Sequence, residues 1–346
     1  MPTDNKEESM KKLIDICQRE LAWVLLLIAC VIFGITTPNF FSLANLFNVL
    51  NQYAYLIIAT CGVALVMIGG ELDMSVGYHM GICNILCAMM LTRTTLPIGV
   101  IIFITLALSV VMGLLATFLQ NLLGIPRIFV SIGLSTLYQG VAFVLSNSKT
   151  ISGLPAEFKV LAQGTFFPNA TNGLQNLTYA TVVMIVFVLI MSFVLSRTYF
   201  GRHIFAMGGN QDAARLAGIN VKKIQYIVGA LVGFFVGCSG IILIGRVGAA
   251  AAGTAAGTEI NIMTGILLGG VSIRGGEGKL GNCVAGILLI GLIGNGMQLL
   301  GWNPYYQYIA KGANMLSVMG FDRYQLHRRS IANTQRKEDR GQATAS

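Results

Sequence analysis

The segment 196–223, SRTYFGRHIFAMGGNQDAARLAGINVKK, is a polar island between two long apolar runs. Arg197, Arg202, Arg215, Lys222 and Lys223 give it five cations, and Lys/Arg beside membrane segments stay on the cytoplasmic side. The spacing predicts a short helix in its middle. Asn210 suits the N-cap, Asp212 favours the positive helix start, Ala213, Ala214, Arg215 and Leu216 are helix formers, and Gly218 is placed to end it. A compact, capped helix displayed to the cytoplasm is a docking element, with Asn210, Asp212 and Arg215 as its expected contact surface.

Composition agrees with a chain that lives in lipid. The 346 residues are 55% hydrophobic and only 11% charged, and the mean hydropathy is +0.72. That leaves too little polar surface to cover a soluble globule. The net charge of +9 gathers in the N-terminal arm, the island and the tail. This is the pattern of membrane topology and not of a nucleic-acid partner. The seven Cys lie mostly in apolar runs without a C-x-x-C pair, so they read as small buried hydrophobes. Cys83 and Cys87 share a helix face, but no His or third thiol stands near them in sequence, and no metal is expected there.

A hydrocarbon core about 30 Å thick needs about 20 apolar residues per helix. Runs at 21–36, 53–68, 74–90, 96–119, 128–145 and 179–195 precede the island. Runs at 224–244, 260–268 (the weakest), 282–300 and 305–319 follow it. The prediction is an all-α membrane protein, a polytopic bundle of about ten transmembrane helices with some broken or re-entrant segments. Lys6, Lys11, Lys12 and Arg19 place the N-terminus inside, and no small-residue cleavage site ends the first run. Six crossings return the chain to Arg197 and four more to Arg323, Arg328 and Arg329, so both termini are expected in the cytoplasm. The domain reading is a cytoplasmic arm at 1–20, a transmembrane domain at 21–322 containing the 197–223 loop, and a basic, disordered tail at 323–346. The loop 146–178 falls outside. Its two N-x-T sequons, at Asn169 and Asn176, would matter only in a eukaryotic secretory pathway.

Gly229, Gly233 and Gly237 stand four residues apart, which leaves one helix face bare for close packing against a neighbour. Packing is the favoured reading over substrate contact. In 69–77, GGELDMSVG, two carboxylates sit between two spans beside Gly70. Ionisable groups near lipid usually face protein, water or a partner. The segment reads either as a polar hinge near a translocation path, carried by Gly70, Asp73 and Ser75, or as a solvated turn with Asp73 capping the next helix. In 269–278, GGVSIRGGEG, two enzyme readings fail. Gly276, Gly278 and Gly281 spell G-x-G-x-x-G without a β-α-β setting, and Gly278-Lys279 lacks both the first Gly and the Ser/Thr of a phosphate loop. His79, His203 and His327 are far apart and have no carboxylate partners nearby in sequence, so no catalytic cluster forms.

Taken together, these segments resemble the permease subunits of bacterial ABC importers for monosaccharides, the branched-chain amino acid and ribose-type permease family. The resemblance runs from about Leu21 to Asp322. GGELDMSVG is similar to the family's GG-x-D-L-S-V-G segment, with Asp73 and Ser75 in matching places. FGRHIFAMGGNQDAARLAGINV is similar to its coupling segment, with Gly209, Asn210, Ala214 and Gly218 matching. GGVSIRGGEG and NPYYQYIAKG resemble its G-G-x-S-x-x-G-G-x-G and final-helix N-P-Y-W-Q stretches. Glu71 stands where the family is commonly apolar. Asn261 replaces an Asp while Glu259 is kept, and Arg127 and Gln139 also depart from the pattern. The polar exchanges bear on the identity of the sugar.

The resemblance implies a type II importer-like fold in the bacterial inner membrane, with no cofactor and no catalysis of its own. It also implies a second permease subunit, cytoplasmic ATPase subunits gripping the helix around Asn210, and an external sugar-binding protein. Glu259 and Asn261 join Asp73 as expected path or hinge residues. An ion-coupled secondary transporter is the rival reading, with Asp73 or Glu71 binding H⁺ or Na⁺. A membrane enzyme, lacking a convergent cluster, is weaker.

Overall fold

The computed structural model describes residues 20–170, 173–303, 305–310, 312, 313, 316 and 320. The arm before residue 20 and most of the tail therefore lie outside the described residues. Two compact units are distinguished, residues 1–301 and 302–346. The second is helical at 305–310, within the expected last span. All that follows concerns the first unit.

Its elements are α-helical. They run α1 (Leu21–Thr36), α2 (Leu43–Ile68), α3 (Val76–Arg93), α4 (Ile98–Leu123), α5 (Arg127–Ser146) and α6 (Ala156–Gln163). Then come α7 (Tyr179–Arg197), α8 (Tyr199–Gly209), α9 (Gln211–Leu216), α10 (Val221–Val247), α11 (Thr258–Leu268) and α12 (Leu280–Leu299). Six of them, α2, α4, α5, α7, α10 and α12, are long and apolar enough to cross a membrane. The unit is thus an all-α, multi-pass membrane bundle, although fewer helices than the expected ten meet that standard.

The shortfall has physical causes. The helix expected from residue 74 starts at Val76 and contains Tyr78, His79 and Asn84, so it is less apolar than its neighbours. It is packed against α5, α10 and α4. Inside protein, polar side chains find partners that lipid would deny them. The weak run at 260–268 becomes α11, only 11 residues long. α1 has 16.

Helix α2 begins ten positions before the apolar run does. Its first turns carry Asn45 and Asn51, and partners elsewhere satisfy both. Ser42 Oγ caps the helix by accepting from Asn45 N–H at 3.2 Å. The Asn45 and Asn295 amides exchange hydrogen bonds at 3.0 and 3.1 Å, and Thr178 Oγ1 donates to Asn51 Oδ1 at 2.6 Å. The 146–178 loop contains α6, whose Phe158 is fully buried.

Helices α2, α10 and α12 form the centre, with 78%, 72% and 72% of their most apolar stretch buried, against 22–28% for α4, α5 and α7. The exposed apolar side chains of that outer set suit a lipid-facing ring.

The α4–α10 pair shows what the glycine stripe does. Gly229, Gly233 and Gly237 face a second four-residue stripe on α4, Ser109, Gly113 and Thr117. A Cβ at Gly229 would strike Thr117 Oγ1, one at Gly233 would strike Ser109 O, and one at Gly237 would lie 2.8 Å from Ser109 Cβ. Small residues on both helices let the backbones touch, and dispersion replaces the missing hydrophobic drive. This contact continues through side chains into the site described next.

Candidate functional site

Three glycine-bearing segments meet at one end of the bundle. Helices α2 and α11 both finish in Gly-Gly and fold back the same way. Gly70 (φ +81°) and Gly270 (φ +80°) take the left-handed conformation. Glu71 N–H then donates to Val66 O and Val271 N–H to Ile266 O, each completing a Schellman motif. The second turn carries the chain to 274–276, where Gly276 N–H donates to Ile68 O at 2.7 Å. The end of α8 closes the junction. A Cβ at Gly208 would strike Ile68 O, and one at Gly276 would lie 2.9 Å from Gly209 Cα. Main chain from three distant parts of the sequence is therefore in direct contact.

Beside that junction, α9 is the short helix expected from the island. Asn210 Oδ1 accepts from Asp212 N–H at 3.0 Å and Ala213 N–H at 2.9 Å. Gly218 (φ +84°) ends it, with Ile219 N–H donating to Ala214 O at 3.0 Å. Ala214 is buried, while Asp212 and Arg215 are exposed and 3.8 Å apart. An exposed pair of this kind contributes little to stability. Helix α8, which replaces the polar loop expected at 199–209, positions this element. Thr198 Oγ1 caps it by accepting from Gly201 N–H.

The 69–75 connector is not a solvated turn. Asp73 is 2% exposed. Its Oδ2 accepts from Arg127 Nε at 3.1 Å and Nη2 at 2.8 Å, and its Oδ1 accepts from Ser75 N–H and Ser75 Oγ–H. Arg127 Nη1 donates to Thr117 Oγ1 at 3.0 Å. Burial works against the Asp73 charge, but the Arg127 guanidinium and the Ser75 hydrogen bonds outweigh it and hold the carboxyl below its ordinary range. The N-cap of α3 is Ser75 and not Asp73. Met74 N–H donates to Ser131 Oγ, also on α5, so the connector is tied to that helix at two points.

Two further clusters complete the polar interior. Glu71 Oε1 accepts from the amides of Gln120, on α4, and of Gln225, on α10, the latter at 2.8 Å. His79 Nε2 lies 2.9 Å from Ser109 Oγ, whose own proton goes to Gly233 O at 2.6 Å. Because that hydroxyl proton is already placed, the imidazole Nε2 is the donor to Ser109. Asp73 is not open for an ion in the way the secondary-carrier reading needs. Asp73 is neutralised by Arg127 and Glu71 is held by two amides.

Glu259 lies on the first turn of α11. Its Oε1 accepts from Gly257 N–H at 3.2 Å, and its Oε2 sits where a side chain on Gly77 would be. Asn261 is half-buried on the next turn. The structure thus gathers Gly70, Asp73, Ser75 and Gly209 around one end of the bundle. Glu259 stands against α3, while Gly229, Gly233 and Gly237 stay on the packing face. Sequence reasoning missed the roles of Arg127, Thr117, Gln120 and Gln225. Arg127 is 54 residues from Asp73 and Gln225 is 154 from Glu71, so no local spacing links them.

Between the 70–72 connector, the ends of α4 and α10 and the start of α9 lies a cavity of about 550 Å³. Glu71, Gln120 and Gln225 form its polar wall, and Pro126, Ile128 and Ile273 add apolar surface.

The described unit is a multi-pass helical bundle with a polar network between its helices and a capped short helix set between α8 and α10. The chain matches the family described as "Branched-chain amino acid transport system / permease component" over residues 45–319, and it belongs to that family. It is similar to a probable ABC transporter permease protein of Escherichia coli (strain K12), 32% identical over 289 residues that cover 84% of each chain. It is also similar to the galactose/methyl galactoside import permease protein of that strain, 30% identical over 314 residues, 87% of this chain and 92% of the relative. The ribose import permease protein of the same strain is 32% identical over 305 residues, 88% of this chain and 93% of the relative. No solved structure matches. The protein is a multi-pass bacterial inner-membrane permease component of an ABC-type importer, a transport subunit rather than an enzyme.

Proposed function

We propose that this permease takes up a monosaccharide delivered by an external binding protein, and that cytoplasmic ATPase subunits drive it through α9. The relatives that import galactose and ribose support a sugar cargo. The carrying observation is the position of α9. A six-residue helix with a side-chain cap at one end and a glycine stop at the other follows directly on α8, whose last two glycines sit in the junction where α2 and the 274–276 segment meet. A push on α9 reaches main chain from both sides of the bundle without passing through a flexible loop.

In this reading 197–223 is cytoplasmic, and the 69–75 and 269–279 turns share its side of the membrane. The N- and C-termini lie there too, and α6 lies outside. The chain crosses about ten times, with α11 as the inner half of a broken crossing. Gly209, Asn210, Asp212, Ala214, Arg215 and Gly218 form or support the ATPase contact. Gly70, Asp73, Ser75, Glu259 and Asn261 belong to the path or its hinge. A second permease subunit, identical or paired, completes the pathway. Closure of the ATPases favours one of two arrangements of the helices through contacts that differ between them.

The test is uptake into proteoliposomes containing the permease with its ATPase and binding protein, using radiolabelled ribose, galactose, xylose and rhamnose. Accumulation of at least one sugar that requires ATP and the binding protein is expected. Uptake driven by an ion gradient in the absence of the ATPase would contradict the reading.

A further inference from the structure

We propose that the 550 Å³ cavity beneath α9 is a binding site for a neutral polyhydroxylated ligand, of the same chemical class as the transported sugar, reached from the cytoplasm. The inference rests on the sidedness and cargo class proposed above, and it adds a site distinct from the crossing path. Its volume suits a small molecule.

The chemistry of the wall selects the ligand. Gln120 is 8% exposed, and its amide nitrogen is spent on Glu71. Its Oε1 is buried with no hydrogen-bond partner. A buried acceptor without a donor is costly, so Gln120 gains from any rotation that brings its Oε1 to the cavity. Glu71 sets a second acceptor beside it. Both protein amides reach Oε1, and no described protein group donates to Oε2.

Nearby cations do not turn this into an anion site. Arg127 is committed to Asp73 and Thr117, and Arg215 faces Asp212. Only Lys222 adds a cation to the lining without a described partner, and an anion seated inside would meet the Glu71 carboxylate. Hydroxyl groups answer the arrangement. They donate to Glu71 Oε2, and to Gln120 Oε1 once it has turned to the cavity, and their oxygens accept from Lys222 and Gln211. Pro126 and Ile273 present apolar surface to the C–H face of a pyranose or furanose ring. Because Gln211 belongs to α9 and Gln120 to α4, a bound ligand ties the docking helix to the bundle and resists their relative movement.

Calorimetric titration of the full-length chain in lipid nanodiscs tests the site, with D-ribose and D-galactose as probes and inorganic phosphate as the anionic probe. Sugar binding is expected to weaken about ten-fold or more in Gln120→Leu, the loss of hydrogen bonding at a buried polar wall. Gln211→Trp should do the same by filling the mouth without disturbing the buried network, so it decides the matter if Gln120→Leu fails to fold. Sugar affinity unchanged in Gln211→Trp, or phosphate bound in preference to both sugars, overturns the proposal. Either result leaves ATP-driven uptake to be judged by its own assay. Conversely, variant-sensitive sugar binding in a chain that shows no ATP-dependent uptake keeps the site and removes the importer reading.

Discussion

Arg127 Nη2 lies 2.8 Å from Asp73 Oδ2, and both side chains are almost wholly buried. Among the described residues each is the other's only counter-charge in direct contact, and the pair joins the α2–α3 connector to the start of α5. Breaking such a pair from one side is expensive because the remaining charge stays buried, whereas replacing both partners with apolar groups is often nearly neutral. Arg127→Met is therefore expected to destabilise the chain by about 3–5 kcal/mol. The double variant Asp73→Leu/Arg127→Met should recover most of that loss. Thermal unfolding of the purified protein in detergent checks both, and an Arg127→Met variant that melts with the wild type would show that the ion pair contributes nothing.

The α4–α10 contact is expected to reject added volume. Gly233→Leu places a side chain against Ser109 O and Val110 Cα, and overpacking of this kind costs about 1–3 kcal/mol or more. A Cβ added at Gly133, exposed on α5, meets nothing within 4 Å, so Gly133→Leu is expected to be tolerated. Size-exclusion profiles and melting curves of the two variants, expressed side by side, make the comparison. Equal behaviour would mean that the stripe is not a tight seam.

Helix α9 is expected to separate folding from coupling. Asn210→Ala removes the cap and should cost about 1 kcal/mol, with Asn210→Asp restoring it. Nothing lies within 4 Å of a Cβ built on Gly209, so Gly209→Trp should insert and fold normally while obstructing the docking surface. Sugar-stimulated ATP hydrolysis by the reconstituted complex is expected to fall in Gly209→Trp. Full stimulation there would remove α9 from the ATPase contact.

The junction predicts a fourth pattern. Gly276 has φ +77°, and an added Cβ would lie 2.9 Å from Gly209 Cα, so Gly276→Ala combines left-handed strain of about 1 kcal/mol or more with a main-chain collision. The melting temperature should drop. In Gly281→Ala, where nothing lies within 4 Å, it should not. A Gly276→Ala protein as stable as Gly281→Ala would mean that the three segments are not packed as described.

What could be read from the sequence were features written in neighbouring residues. The Asn210 cap, the Gly218 stop and the four-residue glycine spacing are local, and each gives the element expected of it. The start of α2 could not be placed, because Asn45 and Asn51 look like loop residues until Asn295 and Thr178 are brought alongside them. Arg127 stood out only as a departure from the family pattern. Its meaning depends on Asp73, which folding places next to it. Glu71 likewise reads as an exposed turn residue until Gln120 and Gln225 converge on it from two other helices. Helices that fall short of a span by composition have a related cause. Helix α3 is sheltered by protein, and a hydropathy pattern records lipid exposure, not shelter.

The joint between Ile68, Gly208 and Gly276 has a mechanical corollary. Interlocked side chains must climb over one another before two parts can slip, but here bare backbone bears on bare backbone and one N–H···O=C link holds the parts in register. Releasing that link costs only about 1 kcal/mol net. The place where force from outside the bilayer would arrive is built like a bearing, stiff against compression and nearly free to shear.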